Sequence, residues 1–117
     1  MVKLKKIYSR HFPFKGFTAM TFWPFVIVRA DRREKFTVKI ERHETIHAQQ
    51  QLETLWLLFF VIYGLEFVIK LPICGFDTDR AYRSISFEQE AYDMQMVVGY
   101  CSLRSHYAWL KYLFKII

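Results

Sequence analysis

The stretch "RHETIHAQQQ", residues 42–51, decides how this chain is interpreted. It places His43 and His47 four positions apart, with Glu44 directly after the first histidine, in the pattern H-E-x-x-H. From about Glu41 to Tyr63 the sequence consists of good helix formers and contains neither glycine nor proline. The sequence therefore predicts that this pattern lies on a helix.

Helical spacing gives these three residues distinct tasks. Positions four apart share one face of a helix, so His43 and His47 can direct one nitrogen each at a single ion. Glu44 lies about 100° further round the helix, where its carboxylate would reach a water on that ion and act as a base. The plainer alternative is that the histidines are structural and that Glu44 only complements the helix dipole.

A catalytic zinc ion needs three protein ligands and one open position. The remaining histidines of the chain are His11 and His106. A stronger candidate for the third ligand is a carboxylate in "SISFEQEAY", residues 84–92, on a second predicted helix. Just before that helix, Tyr82 and Arg83 could donate to a developing oxyanion, although loop packing explains them equally well.

The segments before the pattern predict a small sheet. Residues 17–29, "FTAMTFWPFVIVR", are rich in aromatic and β-branched types and predict one or two strands, bent at Pro24 and at the edge of the sheet. Residues 30–35 predict a polar turn. "FTVKI", residues 36–40, alternates apolar and polar residues and predicts a half-buried strand.

The segments after the pattern predict further helices. Helix formers continue past Gly64 to Leu71, as one long helix or as two in series, and residues 74–84 predict a loop. Ser86 and Gln89 then form a capping-box pattern. Five residues at helical spacing would form the buried stripe of this helix: Phe87, Ala91, Met94, Val98 and Cys101. Residues 106–117 predict a short basic, aromatic C-terminal helix.

One apolar run, "LWLLFFVIYGL" at residues 55–65, raises the question of a membrane. It is shorter than the roughly 20 residues that a spanning helix needs, and Glu66 follows it. Residues 55–69 are therefore expected to be either a buried core helix or a helix in the bilayer interface. In the C-terminal segment, apolar residues flanked by Lys111 and Lys115 either cap the core or contact an anionic lipid face.

The amino-acid composition limits which binding partners and which cellular compartment are expected. The 117 residues are 53% hydrophobic and carry a net charge of +6, which favours an acidic partner surface. Because no basic run is dense enough for a nucleic-acid module, an anionic membrane surface is the expected partner of that kind. Cys74 and Cys101 are predicted to be free thiols. The basic N-terminus is not a secretory signal, so we expect a cytoplasmic protein, peripheral to the membrane if lipid is its partner.

The motif and the second helix together resemble the gluzincins, metallopeptidases in which H-E-x-x-H supplies two zinc ligands and a glutamate from a later helix supplies the third. In many gluzincins an alanine stands three residues after that glutamate, where the two helices cross closely. Glu88 with Ala91 matches this pattern, whereas Glu90, with Ala91 directly after it, matches less well. The resemblance thus implies His43, His47 and Glu88 as Zn²⁺ ligands and Glu44 as the catalytic base.

More narrowly, the chain is similar to a group of small, uncharacterised bacterial gluzincin-like proteins. The similarity rests on "FPFKGFTAMTFWPFVIVR", "ERHETIHAQQQLETL" and "AYRSISFEQEAY", in that order. It implies one zincin-like α+β domain over residues 1–117: a small N-terminal sheet, the H-E-x-x-H helix, an apolar backing helix, the glutamate helix and the C-terminal helix.

The implied activity is zinc-dependent hydrolysis of a peptide or protein substrate by a metal-activated water, with Glu44 taking the proton and passing it to the leaving amine. Many peptidases carry a second subdomain that forms the far wall of the cleft, and this chain is short. The alternative prediction is therefore a zincin-fold zinc-binding or membrane-associated protein without detectable peptidase activity. Composition alone would also fit a small basic membrane subunit without metal.

Overall fold

The protein combines a small sheet with a larger set of helices. The computed structural model describes residues 4–12 and 17–117. Its strands and α-helices are, in chain order, β1 (Lys5–Ser9), β2 (Ala19–Phe22), β3 (Phe25–Arg29), α1 (Val38–Glu53), α2 (Leu57–Ile73), α3 (Thr78–Ser84), α4 (Ser86–Met94) and α5 (Tyr100–Leu103). Two 3-10 helices lie at Ala30–Lys35 and Ala108–Tyr112. The predicted α+β class is confirmed.

The sheet has three strands in the order β1-β3-β2. β2 and β3 are antiparallel, and β1 is parallel to β3. The prediction of strands within residues 17–29 is confirmed, with Trp23 and Pro24 in the turn between them. Pro24 does not mark an edge strand of the sheet, because β3, which begins directly after it, is the central strand. β1 and β2 are the two edge strands of this sheet, and among the described residues β2 pairs only with β3.

The predicted strand at residues 36–40 is wrong. Thr37 is in an extended conformation, its carbonyl accepts from the backbone N–H of Glu41, and α1 begins at Val38. The alternation of residue types does not correspond to alternating burial, because Val38 is 71% exposed. The helix therefore starts before the change of period in the sequence, and it carries residues 42–51 as predicted.

α1 and α2 are two helices and not one. The chain turns at Leu55 and Trp56, both of which have positive φ, and the helix axes differ by 110°. Among the described residues no single helix is long and apolar enough to cross a membrane. α1 and α2 together are long and apolar enough to span, but they are bent by 110° relative to each other, and this comparison considers length and composition only.

The region before and within α4 differs from the prediction in two respects. Residues 78–84 of the predicted loop form α3. The predicted capping box does not form, because the Ser86 hydroxyl donates to Glu66 and the Gln89 amide donates to the Ser84 carbonyl. Glu66, on the neighbouring helix α2, also accepts from the Ser86 backbone N–H. It therefore takes the place of the predicted capping box.

The stripe predicted for α4 is only partly correct, and so is the C-terminal helix. Phe87 and Ala91 are buried, but α4 ends at Met94 and Val98 is 81% exposed. Residues 106–117 contain only a short 3-10 helix instead of the predicted α-helix. Its Trp109 joins the main core cluster, which comprises Phe59, Ile85, Phe87 and Trp109 and is surrounded by side chains of α2.

Candidate metal centre

Three buried side chains meet between α1 and α4. Nε2 of His43, Nε2 of His47 and Oε1 of Glu88 form a triangle in which each of the three distances is 3.1 Å. α1 supplies both histidines from one face, as the spacing predicted, and α4 crosses that face to bring the carboxylate. These three residues are the group that could hold a metal ion in the described chain.

The size of this triangle fits a metal ion. In a tetrahedral zinc site with bonds of about 2.0–2.1 Å, neighbouring ligand atoms lie about 3.3 Å apart. The observed 3.1 Å is close to that separation. Two imidazole nitrogens and one carboxylate oxygen are also a donor set that zinc accepts, and three protein ligands leave a fourth position open. The residues present therefore fit a catalytic type of metal site.

The orientation of His47 is fixed from behind by Gln50. Nε2 of Gln50 donates to the Phe87 carbonyl and to Oε1 of Glu90. The amide oxygen of Gln50 therefore faces Nδ1 of His47, at 2.8 Å. An amide oxygen only accepts, so Nδ1 must carry the proton. The lone pair of the neutral ring is then on Nε2, which points into the triangle. Metal-binding histidines are commonly held in this manner.

His43 has an equivalent support. Its Nδ1 lies 2.9 Å from Oε1 of Gln95, one residue beyond α4. Its ring packs edge-on against Tyr92, with the ring centroids 4.6 Å apart. Both histidines therefore direct Nε2 at the same point, while hydrogen bonds on the opposite nitrogen hold each ring in place.

Glu88 is anchored through its second oxygen. The hydroxyl of Tyr63, on α2, donates to Oε2 of Glu88 at 2.6 Å and leaves Oε1 for the triangle. Burial and the adjacent carboxylate raise the pKa of Tyr63, so the phenol stays protonated. The apolar helix that follows the motif thus contributes a polar group directly to the candidate centre.

The same three side chains also form ion pairs when a proton stands in place of a metal ion. Burial lowers the pKa of His47, but the Glu88 carboxylate outweighs burial and raises it to about 9. Burial alone would raise the pKa of Glu88, whereas the charge and the hydrogen bonds of the histidines lower it well below its usual range. A carboxylate that stays ionised is the form that binds a metal.

Glu44 lies beside the triangle and not in it. The Thr21 hydroxyl, on β2, donates to its Oε1 at 2.7 Å, so the edge strand is joined to the motif helix at this point. Burial raises the pKa of Glu44, against the lowering effect of the two histidines. A carboxyl group with a raised pKa beside a metal site is typical of a general base.

Glu90 belongs to a different cluster. Its carboxylate accepts from Arg104, from the Tyr100 hydroxyl and from the Gln50 amide, and Arg104 also pairs with Glu53 at 2.8 Å. The structure therefore brings Glu88, and not Glu90, to the histidines. Glu90 acts indirectly, because it helps to hold the Gln50 amide that orients His47.

Two cavities open onto the candidate centre. One, of about 840 Å³, is lined by His43, Glu44 and the polar residues Lys39, Asp79 and Arg83. The other, of about 360 Å³, is mainly apolar; its walls comprise Met20, Phe59, Phe60, Gly64 and Phe67 around His47, Glu44 and Glu88. The larger cavity therefore reaches His43 and Glu44, and the smaller, apolar cavity reaches His47, Glu44 and Glu88.

Tyr82 lines both cavities, and Arg83 lines the larger one. Arg83 lies over the ring of Tyr92 at 4.1 Å, which fixes its side chain at the cavity wall. Of the remaining histidines, His11 is exposed and takes no part in the cluster, and the side chain of His106 is 90% exposed and pairs with Glu53.

Sequence reasoning missed several residues that support the centre. Tyr63 lies on α2, Thr21 on β2 and Gln95 just after α4, and each contacts a motif or ligand residue. Gln50 and Gln51, within the triple glutamine at residues 49–51, are both buried. Gln50 contacts His47, whereas Gln51 bonds the backbone of Thr21 and Trp23. A tyrosine inside an apolar helix was the one signal that pointed to Tyr63.

In comparisons with protein-family models, with curated proteins and with solved structures, no match to this chain was found. The site is therefore interpreted from its own geometry.

Proposed function

We propose that this protein is a zinc-dependent metallopeptidase with a zincin-like fold, as the resemblance to gluzincins implies. The observation that carries the proposal is the triangle of His43, His47 and Glu88, with Glu44 beside it and two cavities open to it. Ligand type, spacing and an open side together match what a hydrolytic zinc site requires.

In the proposed reaction, the zinc ion and the side chains of the protein have different roles. A zinc ion, when bound, lowers the pKa of a water molecule toward neutrality and polarises a carbonyl oxygen. Glu44 is the base that takes the proton of the attacking water and later passes it to the leaving amine. Thr21 holds the Glu44 carboxylate at the end of β2, so the base and the edge strand have a fixed relation.

The edge strand supports an extended peptide as the substrate. The Thr21 carbonyl points away from β3, where it accepts from the Gln51 amide. Because main-chain groups alternate sides along a strand, the N–H and C=O of Ala19 also point away from β3. Ala19 lines both cavities. A peptide that pairs there would pass the metal site and place one apolar side chain in the smaller cavity.

Tyr82 is the proposed donor to the developing oxyanion. It lies where the two cavities meet, and burial raises the pKa of its hydroxyl, so the group remains a hydrogen-bond donor. Arg83 is less well placed for this role because it lines only the larger cavity, packed over Tyr92.

One observation favours the alternative, a zinc-binding protein of the same fold without peptidase activity: Oε1 of Glu44 already accepts from Thr21. The decisive experiment compares protein purified without a histidine tag with Glu44→Gln, on labelled casein and on an internally quenched peptide library. Zinc is measured in the same samples.

We expect Glu44→Gln to keep its zinc and to lose cleavage by about 10²–10⁴-fold, the usual contribution of a general base. Glu41→Gln, on the exposed part of the same helix, is the matched control and should cleave as the unmodified protein does. Equal cleavage by Glu44→Gln would contradict the role of Glu44. Zinc-loaded protein that cleaves no peptide would support the alternative.

A further inference from the structure

The polarity of α2 is the reverse of that of a surface helix. Its buried residues include Glu66 and Lys70, which pair with each other at 2.9 Å inside the protein. Its exposed residues are all apolar: Leu57, Leu58, Val61, Gly64, Leu65, Val68, Ile69, Pro72 and Ile73. An ordinary amphipathic helix places its charges toward water and its aliphatic side chains inward.

These exposed residues form one continuous face. With about 100° of rotation per residue, Leu57, Val61, Leu65 and Val68 fall within a narrow sector that runs the length of the helix. Exposed apolar surface of this extent marks an interaction site in most proteins. Both inward charged side chains form hydrogen bonds with the rest of the protein: Lys70 donates to the Ser84 carbonyl, and Glu66 accepts from the Ser86 backbone N–H. The orientation of the helix is therefore fixed by specific contacts.

We infer that this aliphatic face of α2 docks the protein onto a lipid bilayer, in the plane of the interface. The inference is independent of the proposed peptidase activity. A helix of 17 residues is about 25 Å long, less than the roughly 30 Å of a hydrocarbon core, and charges on its inner side bind it to the rest of the protein. It therefore lies along the membrane with one face in the acyl region.

The chemistry of the face favours lipid over a protein partner. Protein interfaces depend on aromatic and arginine anchors and on about one hydrogen bond per 100–200 Å², and leucine and valine are under-represented among their energetic anchors. The exposed residues of α2 offer no side-chain hydrogen bond at all. Contact with lipid acyl chains requires no hydrogen bonds. Trp56, half-exposed at the start of α2, is a residue type common at the membrane interface.

The positive charge of the chain complements an anionic headgroup layer. The end of the chain lies beside the second half of α2, since the Ile117 backbone N–H and the Lys70 ammonium both donate to Ser84. In this C-terminal segment Phe114 is 94% exposed, and Lys111 and Lys115 are exposed as well. Together with the net charge of +6, these lysines suit contact with acidic lipids.

Vesicle flotation tests the inference. Protein is mixed with vesicles of phosphatidylcholine alone or with vesicles that also contain about 30% phosphatidylglycerol, whose negative charge attracts basic segments. We expect recovery with the vesicles, greater with the anionic ones. Val61→Glu/Val68→Glu should reduce recovery at least tenfold. The matched control Val38→Glu/Val98→Glu, at two exposed valines outside α2, should float as the unmodified protein does.

Two further measurements keep the outcome decisive. Zinc content and circular dichroism verify that each variant is folded, and Leu65→Gln, a milder change in the same face, should show an intermediate loss. Absence of flotation with both vesicle types would overturn the inference, as would equal flotation of all variants. Sedimentation equilibrium that shows a dimer broken by Val61→Glu/Val68→Glu, without flotation, would assign the face to a second copy of the chain.

Discussion

The hydroxyl of Tyr63 on α2 donates to Oε2 of Glu88 on α4 at 2.6 Å, which leaves Oε1 of the same carboxylate toward the two histidines. The apolar helix after the motif is therefore part of the candidate centre. Because α2 turns by 110° after α1, its inner face reaches the carboxylate that completes the metal site.

Tyr63→Phe tests this contact. The substitution removes one hydrogen bond and little volume, and loss of a partner behind a metal ligand typically lowers metal affinity by about 10–100-fold. Zinc affinity is measured by competition with a chromophoric chelator. Tyr100→Phe removes a comparable bond, from Tyr100 to Glu90 at 2.7 Å, and should leave the affinity unchanged. Equal effects of the two substitutions would argue against the role of Tyr63.

Gln50 provides a second test, because its amide sets which nitrogen of His47 is protonated. Gln50→Met preserves the length of the side chain but removes the acceptor, and we expect zinc affinity to fall by about 10–100-fold. Gln51→Met is the control: Gln51 is equally buried, but it bonds the backbone of Thr21 and Trp23. It should lower the unfolding temperature and keep the affinity. Undiminished zinc affinity in Gln50→Met would contradict this account of His47.

Arg104 is expected to matter for stability. It pairs with Glu90 and Glu53, and all three side chains are almost fully buried. Arg104→Met would leave two buried carboxylates without their cation, at a cost of about 3–5 kcal/mol in the free energy of unfolding. Denaturant titration measures this cost, with the exposed Lys35→Met as the control. Similar stability of the two variants would show that the cluster contributes little.

The parts of the site that follow local rules were predictable from the sequence. Helical spacing alone places His43 and His47 on one face, and the choice of Glu88 over Glu90 came from the resemblance to gluzincins, with Ala91 three residues after Glu88. The sequence could not show where α1 stops, because residues 54–56 contain no glycine or proline and Leu55 and Trp56 adopt positive φ. The strand predicted at residues 36–40 was wrong for a related reason: alternation of residue types does not determine burial when no strand lies alongside.

Contacts between distant elements were also beyond the sequence. Thr21 and Glu44 are separated by 23 positions and Gln95 and His43 by 52, and nothing local links them. The orientation of α2 follows from two inward charges, Glu66 and Lys70, whose partners lie on α3 and α4. Seen only as residue types, the same run was compatible with a core helix and with an interfacial helix.

The zinc content of the purified protein tests the central claim most directly. Mass spectrometry of protein isolated without a histidine tag should find about one zinc per chain, most of which is lost in His43→Ala, His47→Ala and Glu88→Gln, because two ligands hold the ion poorly. Glu90→Gln should retain it, since Glu90 pairs with Arg104. Full zinc in either histidine variant, or loss in Glu90→Gln with retention in Glu88→Gln, would contradict the ligand set described here.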